Sequence, residues 1–363
     1  MRPPPVIVAA KYLFPLSFPY KTHVYREDCK TVAGIIRKVY ISTKPTVSVQ
    51  IMIENLGPGS ALHPKSASKI DILLESSLHD AELVSSFHAP RFRQRLAIIQ
   101  AWGVREGETI LDIGCGQGES CLALALEVGP RGHITGIDPA QLDYGHPFTM
   151  REAHHHIQKS VLGPRISFFP VDTPSYLAKL DGQRKHFDSV TLCHSLWYFP
   201  NDQAVYSLFE TLAKARIRRL YLAEWSYEPT CPSQVAHILA AKAQALLYRY
   251  KTPSEPGLRE QNVRVGVDQQ LILKAAHAAG FKVTEERFIS SAGDMREGQF
   301  EVRFVLGRVF QQRVADACLT ENQREEINAA ILKLQSEMER LGSTNTATVG
   351  SMDVWCPVLE LNK

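Results

Sequence analysis

The middle of the chain alternates between two hydrophobic periods, one typical of buried strands and one typical of amphipathic helices. Thr109 to Ile113 is a short β-branched apolar run, which predicts a buried strand. From Glu119 to Val128 apolar residues recur at spacings of three and four, which predicts a helix. His133 to Ile137 predicts a second strand. Strand, helix and strand in this order indicate an α/β protein with a parallel sheet.

The alternation continues towards the C-terminus and adds three strands and then a terminal strand pair. These predicted strands are Ile166 to Val171, His186 to Cys193, Arg219 to Ala223, Phe281 to Ile289 and Gln299 to Leu306. Helical periodicity lies between them, and also before the first strand, at Lys65 to about Leu83 and at Pro90 to Trp102. An Ala- and Leu-rich helix at Ser233 to Tyr250 is an insertion in this pattern.

Three glycines follow the first strand, and acidic residues flank them. Gly114, Gly116 and Gly118 predict a turn whose backbone can approach a ligand closely. Asp112 lies inside the strand, where a carboxylate is costly to bury without a partner, and Asp138 ends the second strand. Dinucleotide-binding proteins have a related arrangement, but they usually read G-x-G-x-x-G and place a pyrophosphate at the helix N-terminus. A carboxylate beside the turn would repel that anion.

The residues from Ile110 to Gly118 read hh-D-h-G-x-G-x-G, which resembles motif I of the class I S-adenosylmethionine-dependent methyltransferases. With the order of predicted elements, the resemblance extends from about Arg91 to Arg308. It implies an α/β fold with a doubly wound, mostly parallel seven-stranded sheet and helices on both faces, here with an N-terminal helical cap and an inserted helix. It also implies S-adenosylmethionine as the cofactor, whose ammonium group an acidic residue at the turn would suit.

The resemblance assigns expected cofactor contacts to residues at the carboxyl ends of the strands. The glycine turn would line the methionine part with Asp112 close to it, and Asp138 would accept hydrogen bonds from the ribose hydroxyls. Asp172, after the third strand, would bind the adenine amino group; the alternative is that it caps the next helix. The expected cofactor-binding residues are Asp112, Gly114, Cys115, Gly116, Gly118, Asp138, Pro139, Asp172 and His194.

His194 is the candidate catalytic residue, because it follows the fourth strand and an imidazole ordinarily titrates near neutral pH. Methyl transfer from a sulfonium gains much from positioning the acceptor and excluding water, and an oxygen or nitrogen acceptor also benefits from a general base. The alternative is that His194 only hydrogen-bonds the cofactor or a neighbouring backbone group. Trp197, Tyr198 and Trp225 are candidate substrate-pocket residues, although they could instead be ordinary core aromatics. Tyr144 and His146, after the second strand, are further candidates for the pocket rim.

Composition and charge narrow the class of function. The chain has 363 residues, of which 44% are hydrophobic, and a formal net charge of +3, which is too small over this length to indicate a nucleic-acid partner. Seven cysteines without a C-x-x-C motif predict neither a disulfide framework nor a metal site, and fit a reducing cytosol. No apolar run reaches about 18 residues, so no membrane segment is expected. A homodimer is compatible with the sequence.

The sequence predicts four regions: an extension at 1–62, a helical cap at 63–102, a methyltransferase domain at 103–310 with an insertion at 229–256, and a C-terminal helix and tail at 311–363. The expected function is methylation of a small organic acceptor, at oxygen or nitrogen rather than carbon or sulfur. After the fourth strand, CHSLWYF stands where nucleic-acid and glutamine methyltransferases have an N/D-P-P-Y/F tetrapeptide. By analogy with secondary-metabolite tailoring enzymes, which commonly have such helical additions, the expected context is natural-product biosynthesis. A catalytically inactive methyltransferase-like scaffold and a dinucleotide-dependent oxidoreductase stay as alternatives.

Overall fold

The structure is a computed structural model that describes residues 67–180, 186–250, 263–264, 266–291, 293–342 and 346–362. Residues 67–363 form one compact unit. The predicted extension at 1–62 lies outside the described residues. In the part of the chain that is described, no helix combines the length and the apolar composition needed to cross a membrane.

Seven strands form one sheet, which confirms the predicted architecture. They are β1 (Thr109–Ile113), β2 (His133–Ile137), β3 (Ile166–Phe169), β4 (Ser189–Cys193), β5 (Arg219–Trp225), β6 (Phe281–Ile289) and β7 (Val354–Leu361). Their order is β3-β2-β1-β4-β5-β7-β6. The first five strands are parallel, whereas β7 runs antiparallel to both β5 and β6. The strand order reverses between β1 and β4, and ligands of open α/β sheets bind at such a point.

Helices cover both faces of the sheet. They are α1 (Lys69–Ser76), α2 (Ala89–Trp102), α3 (Glu119–Val128), α4 (Met150–Lys159), α5 (Thr173–Leu180), α6 (Asp202–Lys214), α7 (Val235–Tyr250), α8 (Gln269–Ala278), α9 (Glu297–Leu306), α10 (Arg308–Asp316) and α11 (Glu321–Arg340). Successive strand residues point to opposite faces. Ile110 therefore packs with Phe92 of α2 and Leu122 of α3, while Leu111 joins a second core with Phe209 of α6 and Ile272 of α8.

The strand predicted at Gln299 to Leu306 is wrong, because this segment is helix α9. Its apolar residues alternate, which is typical of a strand, but Val302 and Val305 are spaced by three and both reach a helical core. The seventh strand is β7, within the segment expected to be a tail, so the expected boundary at residue 310 does not separate that segment from the sheet. The helix predicted from Lys65 to Leu83 is also shorter, since α1 ends at Ser76.

A layer of four helices is built from two insertions in the sheet pattern. Helix α7 follows β5, and helices α9, α10 and α11 lie between β6 and β7. They share a core of their own, in which Ala240 of α7 packs with Phe310 of α10 and Ile331 of α11. The layer is tied to the start of β7, because the Met352 backbone N–H donates to Nδ1 of the buried His237 of α7, at 2.9 Å.

Candidate functional site

The glycine turn connects β1 to α3 at the carboxyl edge of the sheet. Gly114, Gly116 and Gly118 have φ angles of +73°, +52° and +94°, a region that favours glycine. A Cβ on Gly114 would lie 2.6 Å from the Cβ of Ser195, in the loop after β4. A Cβ on Gly116 would meet nothing within 4 Å. The first glycine is therefore required by the close approach of two loops, whereas the second leaves open space beside the turn.

Asp112 holds this turn in place from inside the sheet. Its side chain is buried, and its carboxylate accepts hydrogen bonds from Ser120 Oγ at 2.5 Å, Cys121 Sγ at 3.1 Å and Thr191 Oγ1 at 2.8 Å. Burial raises the pKa of Asp112, although these three hydrogen bonds oppose the shift. Because the donors lie on α3 and β4, the carboxylate joins both elements to β1. A role of Asp112 close to the cofactor stays a prediction.

Asp138 lies beside the turn, as the predicted pairing of acid and glycines requires. One carboxylate oxygen accepts the Gly116 backbone N–H at 3.0 Å, and the other accepts that of Ala140 at 2.8 Å. Each oxygen of an ionised carboxylate has a further lone pair. The half-buried side chain can therefore accept additional hydrogen bonds from a ligand. Pro139 follows it on the surface.

His154 also supports the turn, and the sequence interpretation missed it. Its ring stacks on Phe168 with centroids 3.8 Å apart, and Nε2 lies 2.8 Å from the Gly116 carbonyl oxygen. A carbonyl can only accept, so this nitrogen carries the proton. Burial lowers the pKa of His154, whereas its neighbour His155 is exposed. The signal was present in the sequence, because His154 shares a buried helix face with Met150, Ala153 and Ile157.

We expect His154→Phe to weaken binding of S-adenosylhomocysteine about 5- to 10-fold, which corresponds to one net hydrogen bond. The phenyl ring keeps the stack on Phe168 but leaves the Gly116 carbonyl without its donor. Calorimetric titration measures the change. His155→Phe, on the exposed face of α4, is the matched control and should bind normally. Equal affinities of the two variants would show that the turn does not need this hydrogen bond.

Asp172 caps a helix, which was the alternative left open for it. Its Oδ1 accepts the Ser175 backbone N–H at 2.7 Å at the start of α5, and this hydrogen bond lowers the pKa of Asp172. The side chain is exposed at the edge of the sheet. A contact between Asp172 and adenine stays a prediction.

His194 stands out among the described residues by its backbone and by its ring. Its φ of +54° is unusual for a residue other than glycine. The ring lies 4.4 Å from that of Trp225, and neither Nδ1 nor Nε2 has a hydrogen-bond partner among the described residues, although both are buried. Burial lowers the pKa of His194 well below its usual value, and the positive charges of Arg95 and Arg91 lower it further. The imidazole is therefore neutral, with a nitrogen lone pair free for a ligand.

Two of the predicted aromatic residues lie together beside His194. Trp197 and Trp225 are buried, with ring centroids 6.1 Å apart. The ring of His237, from the inserted helix α7, forms T-shaped contacts with both rings, with centroid distances of 6.1 Å to Trp197 and 5.5 Å to Trp225. The other three predicted pocket residues lie at the surface, where Tyr144 and Tyr198 are 44% and 48% exposed and His146 is also exposed. The buried part of the predicted pocket therefore consists of Trp197 and Trp225, with His237 beside them, and a pocket role of the three exposed residues stays a prediction.

Glu224 is a buried carboxylate that the sequence interpretation did not include in the site. It lies at the end of β5, and its Oε1 accepts the Leu196 backbone N–H at 2.8 Å, which holds the loop after His194. Its Oε2 has no hydrogen-bond partner among the described residues. Burial raises the pKa of Glu224 to about 8. The sequence shows a glutamate near the end of β5 but does not show that its side chain is buried, so the raised pKa could not be predicted from it.

Between pH 5 and 8 we expect the free energy of unfolding of the wild type to fall by up to about 1.4 kcal/mol per pH unit relative to that of the Glu224→Gln variant. The folded-state pKa of about 8 lies above the unfolded value near 4.5. The contribution of Glu224 to the free energy of unfolding is therefore fully present below pH 4.5, where the group is protonated in both states. It is lost as the pH rises to 8, because the unfolded state releases this proton first. Denaturant unfolding at several pH values measures it. Glu210→Gln on the surface of α6 should keep the wild-type slope, and parallel curves for all three proteins would contradict the prediction.

Charged residues of the helical cap reach over the start of α3. Arg91 of α2 lies 3.0 Å from Glu119 and 3.3 Å from Glu297 of α9. Arg95, one turn further along α2, is 3.9 Å from Glu119. These ion pairs connect the cap, the helix after the glycine turn and the inserted helical layer. The sequence predicted the cap helix but not that Arg91 and Arg95 face inward.

Comparisons with known proteins agree with this geometry. A family model described as a methyltransferase domain matches residues 105–226. Methyltransferase phomM′ and methyltransferase phomM of Diaporthe leptostromiformis are each 38% identical to the chain over 344 residues, which cover 80% of this chain and 89% of each relative. A solved cyclopropane-fatty-acyl-phospholipid synthase-like protein from Lactobacillus casei is 28% identical, with a TM-score of 0.66, and the match covers 81% of this chain and 99% of that protein.

Proposed function

Because this chain belongs to the class I S-adenosylmethionine-dependent methyltransferases, we propose that it methylates an oxygen or nitrogen atom of a small organic acceptor. The observation that carries the proposal is His194, whose buried ring nitrogens lie unpartnered among the described residues, beside Trp225. The site is at the point where the strand order reverses, which is where a ligand of this fold binds.

The residues around the turn fit the cofactor. The open space at Gly116 leaves room for the methionine part, and the Asp138 carboxylate has lone pairs left for the ribose hydroxyls. We assign Gly114, Gly116 and Gly118 to the methionine part, Asp138 to the ribose and Asp172 to adenine, with Cys115 and Pro139 adjacent. Bound S-adenosylmethionine supplies an electrophilic methyl group on its sulfonium.

His194 and the tryptophans would then act on the acceptor. The neutral imidazole has a lone pair that can hold the acceptor's hydroxyl or amine and take its proton. Its lowered pKa makes it a weak base, so orientation is the larger part of its contribution. Trp197 and Trp225 would form one wall for the acceptor and exclude water. Helices α2 and α7 border the site, which supports a small acceptor over a macromolecule.

The proposal extends to the setting of the enzyme. All six cysteines among the described residues have free thiols, which supports a reducing compartment such as the cytosol. Helical insertions that border the acceptor site support a role in natural-product tailoring, by analogy with other small-molecule methyltransferases.

The first test is calorimetric titration of the purified protein with S-adenosylhomocysteine, with NADH as the control. We expect micromolar binding of S-adenosylhomocysteine and no response to NADH. A protein that binds NADH instead would contradict the assignment of the turn. A protein that binds S-adenosylhomocysteine but transfers no methyl group across a broad acceptor panel would support the inactive scaffold.

A second test separates the two roles considered for His194. We expect His194→Ala to lower kcat about 100-fold, the lower end of the range for a positioned proton acceptor, while the affinity for S-adenosylhomocysteine changes less than threefold, within about 0.7 kcal/mol. His194→Asn, which keeps a hydrogen-bonding group, should recover part of the loss. Near-normal turnover in His194→Ala with cofactor binding intact would end the general-base assignment.

A further inference from the structure

Arg95 is a buried cation with unused hydrogen-bond donors. Its side chain is 9% exposed, within helix α2. NH1 donates to Oε1 of Gln94 at 3.2 Å, whereas Nε has no hydrogen-bond partner among the described residues. Nε2 of the equally buried Gln94 is also unpartnered in the described ranges. Two neighbouring side chains therefore present donors to the same interior region.

The charge of Arg95 is only weakly compensated. Among the described residues its ion-pair partner is Glu119, and the 3.9 Å between NH2 of Arg95 and Oε2 of Glu119 is too long for a hydrogen bond. Glu119 lies closer to Arg91, at 3.0 Å. Asp112 and Glu224 also interact electrostatically with Arg95, but neither forms an ion pair with it in the part of the chain that the structure describes. A guanidinium that is buried without a close counter-charge is costly.

The position of Arg95 is that of a ligand-binding group. Burial lowers the pKa of His194, and the positive charge of Arg95 lowers it further. Burial raises the pKa of the Cys193 thiol, and the positive charge of Arg95 opposes that rise. It also acts on Asp112 of β1 and Glu224 of β5. The guanidinium lies 3.9 Å from Glu119, the residue that follows Gly118 of the glycine turn, and its charge acts on the candidate catalytic histidine.

We propose that Arg95 is the carboxylate receptor of this active site, with the amide of Gln94 as a second donor. The Nε and NH2 edge of a guanidinium matches a carboxylate with two parallel hydrogen bonds, and in Arg95 this edge has no hydrogen-bond partner among the residues that the structure describes. The inference rests on the proposed function, because the ligand is either the cofactor's methionine carboxylate or a carboxylate on the acceptor. A lysine would supply charge without this planar fork.

The test compares the full-length protein with Arg95→Met, and with Arg93→Met as the matched control. Arg93 lies on the same helix, is 50% exposed and pairs with Asp294 at the surface. One arm titrates S-adenosylhomocysteine and 5′-methylthioadenosine, a nucleoside thioether that lacks the amino acid group. The other arm measures the melting temperature of the S-adenosylhomocysteine-saturated protein with sodium benzoate, against sodium chloride at the same ionic strength.

A cofactor carboxylate on Arg95 predicts that Arg95→Met binds S-adenosylhomocysteine about 30-fold more weakly, the loss of a charge-assisted pair, and 5′-methylthioadenosine as well as the wild type does. An acceptor carboxylate predicts unchanged binding of both, and a benzoate-dependent rise in melting temperature that is lost in Arg95→Met. Arg95→Lys should recover less than half of either loss on a logarithmic scale.

A merely structural role of Arg95 predicts a different pattern. Replacing an uncompensated buried charge with methionine is expected to leave the ligand-free melting temperature unchanged or higher, whereas loss of a structural ion pair would lower it. If Arg95→Met changes neither the binding of S-adenosylhomocysteine nor the benzoate response, the inference is overturned. Failure of the wild type to bind S-adenosylhomocysteine would instead overturn the proposed function.

Discussion

Asp138→Ala is expected to reduce the affinity for S-adenosylhomocysteine about 100-fold or more. The carboxylate accepts the Gly116 N–H of the glycine turn and, in our proposal, two ribose hydroxyls. Hydrogen bonds to a charged group contribute about 1.5–3 kcal/mol each, so losing two of them corresponds to about two to four orders of magnitude in affinity. The loss of the Gly116 contact adds to this, because the turn is no longer held in its binding conformation. Calorimetric titration measures the change directly.

Two further variants serve as a control and as an intermediate case for this prediction. Asp143→Ala removes an exposed carboxylate from the following loop and should bind as the wild type does. Asp138→Asn keeps an acceptor oxygen but loses the charge, so its affinity should lie between those of the wild type and Asp138→Ala. If Asp138→Ala binds within threefold of the wild type, a change of about 0.7 kcal/mol, Asp138 does not hold the ribose.

Asp112→Ala is expected to destabilise the fold by about 3–5 kcal/mol, which is large for a single substitution. The variant leaves three buried donors, on Ser120, Cys121 and Thr191, without their acceptor, and each unsatisfied buried group costs about 1–3 kcal/mol. Partial rearrangement of the hydroxyls keeps the total below the sum. Denaturant unfolding followed by circular dichroism gives the free energy.

Asp188→Ala is the matched control for this prediction. Asp188 accepts the Thr109 backbone N–H at 2.8 Å near the other end of β1, but its side chain is exposed. Water can replace it, so we expect a loss of about 1 kcal/mol or less. Equal losses in the two variants would mean that Asp112 is not the anchor that the hydrogen bonds indicate.

Local patterns in the sequence were sufficient for the part of the fold that surrounds the glycine turn. The apolar run of β1, the turn at Gly114 and the acid at Asp138 are close in sequence, and their spacing determines their geometry. The strand pattern at Gln299 to Leu306 failed because period-2 alternation in a short segment is also compatible with a helix whose partners come from elsewhere. Those partners, on α7 and α11, are distant in sequence.

For the candidate site, too, features set by local sequence were predicted and features set by distant neighbours were not. Its backbone elements were predicted, but the burial of the ionisable side chains of Arg95 and Glu224 was not, because burial of such a side chain depends on tertiary neighbours. His154 lies between these cases. The helical spacing of its apolar neighbours was visible, and a closer reading of that spacing would have placed it on the inner face.

The position of β7 has a consequence for how the protein is made. β7 pairs with β5 on one side and with β6 on the other, yet it is synthesised after both, and after the three helices α9, α10 and α11. Until it emerges from the ribosome, β5 presents an open edge and β6 has no neighbour to join. Unpaired strand edges are templates for intermolecular pairing. Because β7 is translated after the other six strands of the sheet and lies between two of them, premature termination before Val354 would yield a chain prone to aggregation.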